Sequence, residues 1–228
     1  MQTRYILGIK TKEAIYRENG CVFRLNVDST YFSPRLSNER KEIAGKTKKM
    51  ETVLVMFAGI GPYSIVIAKN SKASRVYSNE INREANKYAE LNIGLNKVKG
   101  KVMLLPGDIR RIARIISKPR HQSPQQSTLE NVSVKNFGLK NVPAKFDVIV
   151  MPRPQLKDTF LHEAFSLSKK GTRIYYYDFC KEDEIENIVN KVKSQAKKYG
   201  KQVKILKVKK AGEIAPYRYR VRVDFKVL

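Results

Sequence analysis

The chain has 228 residues, and 46 Lys and Arg against 21 Asp and Glu give it a formal net charge of +25 at pH 7. Its apolar content of 42% is typical of a globular chain, and no apolar run is long enough to span a membrane. Because the excess of cations is one-sided, we expect a polyanionic partner and favour nucleic acid over a membrane surface.

Cysteines and histidines are too sparse to predict a metal site. Cys21 and Cys180 form no C-x-x-C pair. His121 and His162 lack the spacing of a ligand pair. Zinc, iron–sulfur and disulfide scaffolds therefore find no support, and no metal is predicted. The amino terminus shows no secretion signal, so we expect a cytoplasmic location.

The first part of the chain, residues 1–45, is predicted to be a small β-containing segment that contributes to an active site. Its predicted elements are strands over 3–8 and 22–27, a turn at 18–20, and a helix over 37–45 with Ser37 as its N-cap. Residues 46–228 are predicted to form the main domain.

From residue 46 onwards, strands and helices alternate, which indicates an α/β fold built from βαβ units. The predicted strands cover 53–57, 75–79, 101–105, 146–150 and 172–177, and the predicted helices cover 62–70, 82–95, 109–116, 156–168 and 182–198. Two closing strands, 202–210 and 217–227, are near enough in sequence to pair antiparallel. This pattern predicts a Rossmann-like, mostly parallel sheet of the class I methyltransferase type rather than a dehydrogenase sheet.

The most informative local motif is an apolar strand that runs into a glycine turn, VLVMFAGIGPYS at residues 53–64. Gly59 and Gly61 let the backbone approach a ligand, and Pro62 opens a helix whose first N–H groups are free donors. Ser64 stands where a dinucleotide fingerprint has its third small residue, so a pyrophosphate ligand stays open. The motif predicts a site for a nucleotide-like cofactor.

Two acids follow later strands of the same sheet. Glu80 ends the second strand, where a carboxylate can accept hydrogen bonds from both hydroxyls of a ribose. Asp108 follows the third strand and is predicted to lie on the adenine side. The competing interpretation is that each acid caps the helix behind it.

Residues 117–144 are too polar and too rich in Pro and Gln for a buried unit. We predict a mobile basic loop on the carboxyl side of the sheet. A flap over RNA and a tolerated insertion are both open.

Three blocks carry a resemblance to a known family: YRENGC at 16–21, YFSPRLSNER at 31–40 and MFAGIGPYS at 56–64. In this order they resemble the archaeal and eukaryotic tRNA (guanine-37-N1)-methyltransferases, over nearly the whole chain except 117–144. The resemblance implies S-adenosylmethionine as cofactor and a tRNA as partner. It places the reaction at position 37 of the anticodon loop, with tRNA-Phe as the expected substrate and a monomer as the expected state.

The resemblance also assigns roles to residues. The expected cofactor-binding residues are Phe57, Gly59, Gly61, Glu80, Asp108 and Arg35. Glu39 is the candidate general base for the proton on guanine N1, one helical turn after Arg35 and on the same face. Its competing interpretation is an ion pair with a neighbouring lysine.

A cation near O6 of guanine would stabilise the charge that develops there, and Arg4 is the nearest match to the family's arginine. Tyr31 and Phe32 are candidates for stacking on a flipped base, with one of the two expected in the core. Segment 1–45 is thereby expected to bind tRNA. The lysine-rich stretch 191–210 is also expected to bind tRNA, against the alternative of solvated helix faces.

One departure from the family pattern concerns the acceptor pocket. Relatives with the single activity carry Asn-Leu-Pro after the fourth strand, where this chain has Pro152-Arg153-Pro154. Pro152 and Pro154 predict a rigid turn without N–H donors. This resembles an archaeal subgroup that also methylates carbon 7 of 4-demethylwyosine.

Two other functions stay open. A wybutosine-pathway transferase would use the same fold and cofactor but transfer the aminocarboxypropyl group. A basic RNA-binding protein with a degenerate cofactor fold would not be an enzyme.

Overall fold

The computed structural model describes residues 3–117, 141–152 and 158–228. In chain order the strands are β1 Glu13–Glu18, β2 Cys21–Asn26, β3 Thr52–Val55, β4 Arg75–Glu80, β5 Val102–Pro106, β6 Phe146–Met151, β7 Ser168–Lys181, β8 Val203–Ala215 and β9 Arg218–Val227. The α-helices are α1 Ser37–Lys46, α2 Pro62–Asn70, α3 Arg83–Leu95, α4 Ile109–Ser117, α5 Leu161–Ser166 and α6 Ile185–Lys198. Short 3₁₀ turns at Pro34–Leu36 and Glu182–Glu184 precede α1 and α6.

The main sheet has seven strands in the order β5-β4-β3-β6-β7-β9-β8. Strands β3 to β7 pair in parallel, and β9 pairs antiparallel with both β7 and β8. The predicted α/β sheet with an antiparallel closing pair is confirmed. The chain leaves β3 towards β4 on one side and later enters β6 on the other, so the sheet has its switch point between β3 and β6. Ligands of such sheets bind at the carboxyl ends of these strands.

The N-terminal segment differs from its prediction. Strands β1 and β2 form a hairpin whose turn is the predicted one, with φ of 48° at Asn19 and 71° at Gly20. The strand predicted over 3–8 is wrong, because that stretch is exposed and the first strand begins at Glu13. The apolar run there resembled a strand, but Leu7 is 90% exposed and has no sheet partner to cover it.

The β1–β2 hairpin is tied to the main domain. Buried Asn92 of α3 and buried Asn96, the C-cap of that helix, exchange hydrogen bonds with the backbone of Arg24 and Val22, respectively. Phe23 of β2 lies in the same apolar cluster as the buried side chains of α1 and α2. The division of the chain at residue 45 stays a prediction.

Three boundaries differ for local reasons. Ser37 is not an N-cap, because it is the first residue of α1 and its hydroxyl accepts a hydrogen bond from Asn19 Nδ2. Helix α5 is shorter than predicted. The ends of the predicted loop 117–144 are also wrong, since Ser117 closes α4 and Val142 is buried in the core. Residues 118–140 lie outside the described residues.

Candidate functional site

The glycine turn, residues 57–61, joins β3 to α2 through left-handed backbone. Phe57, Gly59 and Gly61 have φ values of 56°, 57° and 85°. A Cβ on Gly61 would lie 3.3 Å from Ile65 Cδ1, and one on Gly59 would lie 3.4 Å from the carbonyl oxygen of Tyr31. The left-handed backbone therefore favours glycine at both positions, and at Gly61 a Cβ would also press on the Ile65 side chain. Pro62 is the first residue of α2, as predicted.

Glu80 fixes the glycine turn to the start of α3. Its Oε2 accepts a hydrogen bond from the N–H of Gly59 at 2.8 Å, and its Oε1 accepts from the N–H groups of Ile81 and Asn82, both at 2.8 Å. Asn82 is the N-cap of α3, so the capping interpretation does not apply to Glu80. The Glu80 carboxylate and the glycine turn lie together at the carboxyl ends of β4 and β3, as the sequence predicted.

Asp108 does cap its helix. Its Oδ1 accepts from the N–H of Arg110 at 2.8 Å, while its side chain stays 40% exposed. The loop that carries Asp108 is held by buried Asn79, whose Nδ2 donates to the carbonyls of Leu105 and Gly107 at 2.8 and 2.9 Å. Sequence reasoning missed Asn79, although an amide directly before a strand-end acid was the available signal. It also missed Ile81, an apolar side chain that is 65% exposed beside Glu80.

Aromatic rings border the glycine turn on the β6 side. The rings of Phe57 and Phe160 meet edge to face at 5.0 Å between centroids. The guanidinium of Arg110 lies 4.4 Å from the centre of the Phe160 ring and pairs with Asp158. Pro152 follows β6 and is half-buried, whereas Arg153 and Pro154 lie outside the described residues. The sequence assigned Phe57 but gave no reason to expect Phe160 beside it.

A cleft of about 210 Å³ opens between the YFSPRL segment and the β8–β9 hairpin. Its described walls are Tyr31, Phe32, Ser33, Pro34, Arg35, Ala211, Gly212, Glu213, Ile214 and Arg220. Tyr31 is 67% exposed, and its hydroxyl lies 3.4 Å from Arg220 Nη2. Phe32 instead packs its ring against Tyr16 and Phe23. The two aromatic side chains therefore differ, with Tyr31 available to a ligand.

Arg40 anchors the YFSPRL segment, residues 31–36, from the interior of the protein. It is 1% exposed, pairs through two nitrogens with the carboxylate of Glu18, and donates to the carbonyl of Ser33 at 3.0 Å. Its guanidinium lies 5.1 Å from the centre of the Phe32 ring and 5.6 Å from that of Tyr63. Arg40 thus connects the hairpin β1–β2, the cleft and the start of α2.

Glu39 lies behind the cleft, in a buried ion network with Glu42, Arg222, Asp224, Lys209 and Lys46. Glu39 is 3% exposed. Its Oε2 accepts from Tyr177 Oη at 2.9 Å and from Arg222 Nη1, and its Oε1 accepts from Lys209 Nζ at 2.7 Å. The expected shared face with Arg35 is wrong, because Arg35 belongs to the preceding 3₁₀ turn and is exposed while Glu39 points inward.

The rest of this network is equally well paired. Arg222 is fully buried and also binds Glu42 and Asp224, and Lys209 also binds Glu42 at 2.7 Å. The hydrogen bond from Arg222 holds the pKa of Glu42 well below its usual range. Burial raises the pKa of Tyr63, which donates to Tyr177, to about 12. Both tyrosines therefore stay protonated at neutral pH.

Arg4 is exposed in the stretch before β1. That stretch is held at its start by the N–H of Thr3, which donates to Asp28 Oδ1 at 2.9 Å. The structure thus brings together Tyr31, the glycine turn and Glu80, and it separates Arg35 from Glu39. Within the described ranges, no group of three potential metal ligands is present and no helix is long and apolar enough to cross a membrane.

Comparison with known proteins gives a consistent family. The model of the TRM5/TYW2 methyltransferase domain matches residues 14–121. The tRNA (guanine(37)-N(1))-methyltransferase Trm5b of Pyrococcus abyssi is 35% identical over 98% of this chain and 58% of its own length. The tRNA (guanine(37)-N(1))/4-demethylwyosine(37)-methyltransferase Taw22 of Nanoarchaeum equitans is 33% identical over 97% of this chain and 81% of its own length.

Solved structures agree. The crystal structure of Pyrococcus abyssi Trm5b has a TM-score of 0.78 at 32% identity and covers 100% of this chain, which spans 61% of that one. That of Methanocaldococcus jannaschii TYW2 in complex with AdoMet has a TM-score of 0.75 at 28% identity, covering 98% of this chain and 90% of that one.

Proposed function

The chain belongs to the TRM5/TYW2 methyltransferase family, and on that premise we propose that it methylates N1 of guanine 37 in tRNA with S-adenosylmethionine as donor. The proposal draws on the names of its relatives, although the chain spans 58% of the length of one of them, Trm5b. We further propose that it acts as a monomer in the cytoplasm.

The observation that carries this proposal is the contact between the glycine turn and the cleft. The backbone of Tyr31 packs so closely on Gly59 that a Cβ there would lie 3.4 Å from the Tyr31 carbonyl. A cofactor on the glycine turn and a base beside Tyr31 would therefore be neighbours. Methyl transfer needs this arrangement, because donor and acceptor atoms must approach within van der Waals distance.

The residues present fit S-adenosylmethionine. Glu80 uses three acceptor sites on backbone N–H groups, and a carboxylate has about four, which leaves capacity for a ribose hydroxyl. Ile81 offers an exposed apolar surface beside it. Asp108 has a side chain that is 40% exposed, and its Oδ2, 3.7 Å from Arg110 Nη1, can accept from a donor group of adenine. When bound, the cofactor supplies an electrophilic methyl carbon on a sulfonium sulfur.

The chain's own residues have to prepare the acceptor. Guanine N1 carries a proton, and its removal moves negative charge onto O6. Arg35 and Arg220 line the cleft and are placed to stabilise that charge, in addition to the predicted Arg4. Tyr31 presents a ring on which a flipped base can stack. Pro152 and Pro154 keep their proposed role as a turn without donors.

Glu39 stays the proposed base, and the structure sets a condition for that role. Three donors surround its oxygens and the residue is only 3% exposed, so one donor must move aside before guanine can reach the remaining acceptor site of the carboxylate. Lys209 is the most accessible donor, with 34% of its side chain exposed. Its withdrawal is the least costly way to open Oε1, because Arg222 and Tyr177 are fully buried.

The role of Glu39 is tested with Glu39→Gln, which keeps the shape but removes the base. We expect single-turnover methylation to fall by about 100-fold or more, the size of a general-base contribution, with unchanged affinity for S-adenosylmethionine. The control is Glu90→Gln on the exposed side of α3, which should leave the rate unchanged. A Glu39→Gln rate within about threefold of the parent would reject the role.

A second candidate function is aminocarboxypropyl transfer to 4-demethylwyosine. It is favoured by a relative named tRNA(Phe) (4-demethylwyosine(37)-C(7)) aminocarboxypropyltransferase from Methanocaldococcus jannaschii, 30% identical over 97% of this chain and 78% of its own length. Dual methylation, as in the name of Taw22, is a third outcome of the same test. All three reactions use one fold, so the product has to decide.

The deciding experiment is nucleoside mass spectrometry of a tRNA-Phe transcript incubated with the protein and S-adenosylmethionine. We expect 1-methylguanosine from the G37 transcript and none from a matched A37 transcript. The same assay on tRNA carrying 4-demethylwyosine reveals a second methylation or an aminocarboxypropyl mass gain. No product on either RNA would overturn the proposal.

A further inference from the structure

The β8–β9 ribbon has two chemically different faces. In an antiparallel pair, residues directly opposite each other point to the same side of the sheet, and successive residues alternate. The register Lys204↔Lys226, Lys207↔Asp224, Lys209↔Arg222, Gly212↔Arg220 and Ala215↔Arg218 therefore defines one face. The register Ile205↔Phe225, Val208↔Val223 and Lys210↔Val221 defines the other, which carries buried Val221, Val223 and Phe225 against α6.

The first of these is called the basic face here, and its charge is almost entirely of one sign. Its charged members are Lys204, Lys207, Lys209, Arg218, Arg220, Arg222, Lys226 and the single acid Asp224. Asp224 is engaged with Arg222 and Lys46, and the acids of α1 are engaged with Arg222 and Lys209. The acids near this face thus neutralise its buried inner part.

The outer part of the basic face is left uncompensated. Lys204, Lys226 and Arg218 are exposed and take no part in the buried ion network in the described part of the chain. Lys207 is 52% exposed and reaches Glu42 only at 4.0 Å. An array of fixed, exposed cations on a rigid sheet is a surface for phosphates, since each contact releases condensed counterions.

A protective role of the lysines does not account for this pattern. Lysine on an edge strand prevents pairing with another chain, and β8 is an edge strand. However, the cations continue onto β9, which is paired on both sides. They also keep to one face, while the opposite face carries Lys210, which is paired with Glu182.

The basic face leads directly into the cleft. Arg220 belongs to both, since it lies on this face opposite Gly212 and also lines the cleft beside Tyr31. From there the row of cations runs along the ribbon to Lys204 and Lys226 at its far end. A polyanion held along this row would deliver its end, or a residue flipped out of it, to the cleft.

We propose that the basic face of the β8–β9 ribbon binds the phosphate backbone of the RNA next to the base that enters the cleft. This rests on the proposed function for the identity of the polyanion as RNA. Phosphate contacts fix register without reading sequence, so this surface orients the RNA while the cleft selects the base.

The test uses the triple variant Lys204→Gln, Lys207→Gln and Lys226→Gln in the full chain. Its matched control is Lys72→Gln, Lys99→Gln and Lys170→Gln, which removes the same charge from exposed positions off the basic face. Affinity for a labelled tRNA-Phe transcript is measured by fluorescence anisotropy from low to moderate salt. Affinity for S-adenosylmethionine, measured by calorimetry, checks that the variants are folded.

We expect the triple variant to lose about tenfold in RNA affinity and to reduce the slope of log K against log salt by about 2, because roughly 0.7 to 0.9 ions are released per phosphate contact. The control loses only the non-specific attraction of three positive charges, so its RNA affinity should fall by at most about twofold and its slope should stay unchanged. Equal affinities and slopes for both variants would overturn the proposal.

The measurements distinguish failure of the proposed function from failure of the proposed RNA-binding surface. If the unmodified protein binds RNA with the expected slope but forms no methylated product, the proposed function fails and the surface stands. If product forms but the triple variant binds RNA normally, the surface fails alone. Loss of binding to phosphatidylcholine–phosphatidylserine vesicles with unchanged RNA affinity would assign the face to a membrane and overturn it.

Discussion

Two regions of the molecule differ in how far apart their residues lie in the sequence. One is the carboxyl edge of the sheet around the glycine turn, called the edge below, and the other is the interface between α1 and the β8–β9 hairpin, called the interface below. Gly59 and Glu80, which make the central contact of the edge, are 21 positions apart. Glu39 and Arg222, which make the central contact of the interface, are 183 positions apart. The edge is a local product of one βαβ unit, whereas the interface exists only when the whole sheet is complete.

This difference explains what each region can contribute. Backbone groups and one carboxylate build the edge, so it suits a ligand of fixed shape. Long charged side chains build the interface, and the ion pairs bury Glu39 while they leave cations on the outside. If Glu39 is the base, as proposed, its burial behind Lys209 would delay the reaction until RNA binding displaces that cation.

The largest expected effect of a single substitution is on the interface. Arg222→Met removes the cation from three carboxylates, of which those of Glu39 and Asp224 are buried, and such a change costs about 3–5 kcal/mol of unfolding free energy. Thermal and urea unfolding measure it. Arg218→Met, an exposed position on the same strand, should cost less than about 0.5 kcal/mol. Equal effects would mean that the interface does not hold α1 on the ribbon.

Glu80→Ala tests the other region, the carboxyl edge, through its affinity for S-adenosylmethionine. It leaves the N–H groups of Gly59, Ile81 and Asn82 without their acceptor, so we expect the binding free energy for S-adenosylmethionine to weaken by about 1.5–3 kcal/mol, which calorimetry measures. Glu84→Ala, in the first turn of α3, removes an exposed ion pair with Lys87 and should keep the affinity. Retained binding in Glu80→Ala would place the cofactor elsewhere.

The smallest expected effect is a pH dependence of the interface. The pKa of Glu42 is lowered in the folded chain, chiefly by Arg222, so its stabilisation is present above its unfolded pKa of about 4.5 and is lost as pH falls through the lower folded value. Glu42→Gln should lower unfolding free energy at pH 7 by about 1–2 kcal/mol, and the difference from the parent should begin to narrow below about pH 4.5 as the unfolded carboxylate takes up its proton. Parallel curves for the two proteins between pH 7 and 3 would contradict this.

Sequence alone could predict the edge because its signals are local. The strand ends, the glycines and Pro62 appear in the right order, and α2 begins and ends at the predicted residues. The capping alternative could not be settled that way: it holds for Asp108 and fails for Glu80, and both are single acids at strand ends.

The interface could not be predicted from the sequence, because its partners are set by strand order. Nothing local links Arg222 or Lys209 to Glu39, and the residue spacing around Glu39 predicts an ion pair with a neighbour on the same helix face instead. The strand over 3–8 failed for a related reason, since apolar residues there have no partner strand. The sequence signal for the basic face is the alternation of cationic and apolar residues along 203–227. It can be recognised only when the pairing register of β8 with β9 is known.

Measuring both ligands on both variants tests most directly whether the edge binds the cofactor while the basic face binds the RNA. Affinity for S-adenosylmethionine and for a tRNA-Phe transcript is measured on Glu80→Ala and on the Lys204, Lys207 and Lys226 triple variant. We expect Glu80→Ala to lose the cofactor and keep the RNA, and the triple variant to lose RNA affinity and keep the cofactor. Loss of both ligands in either folded variant, or of neither, would contradict the account.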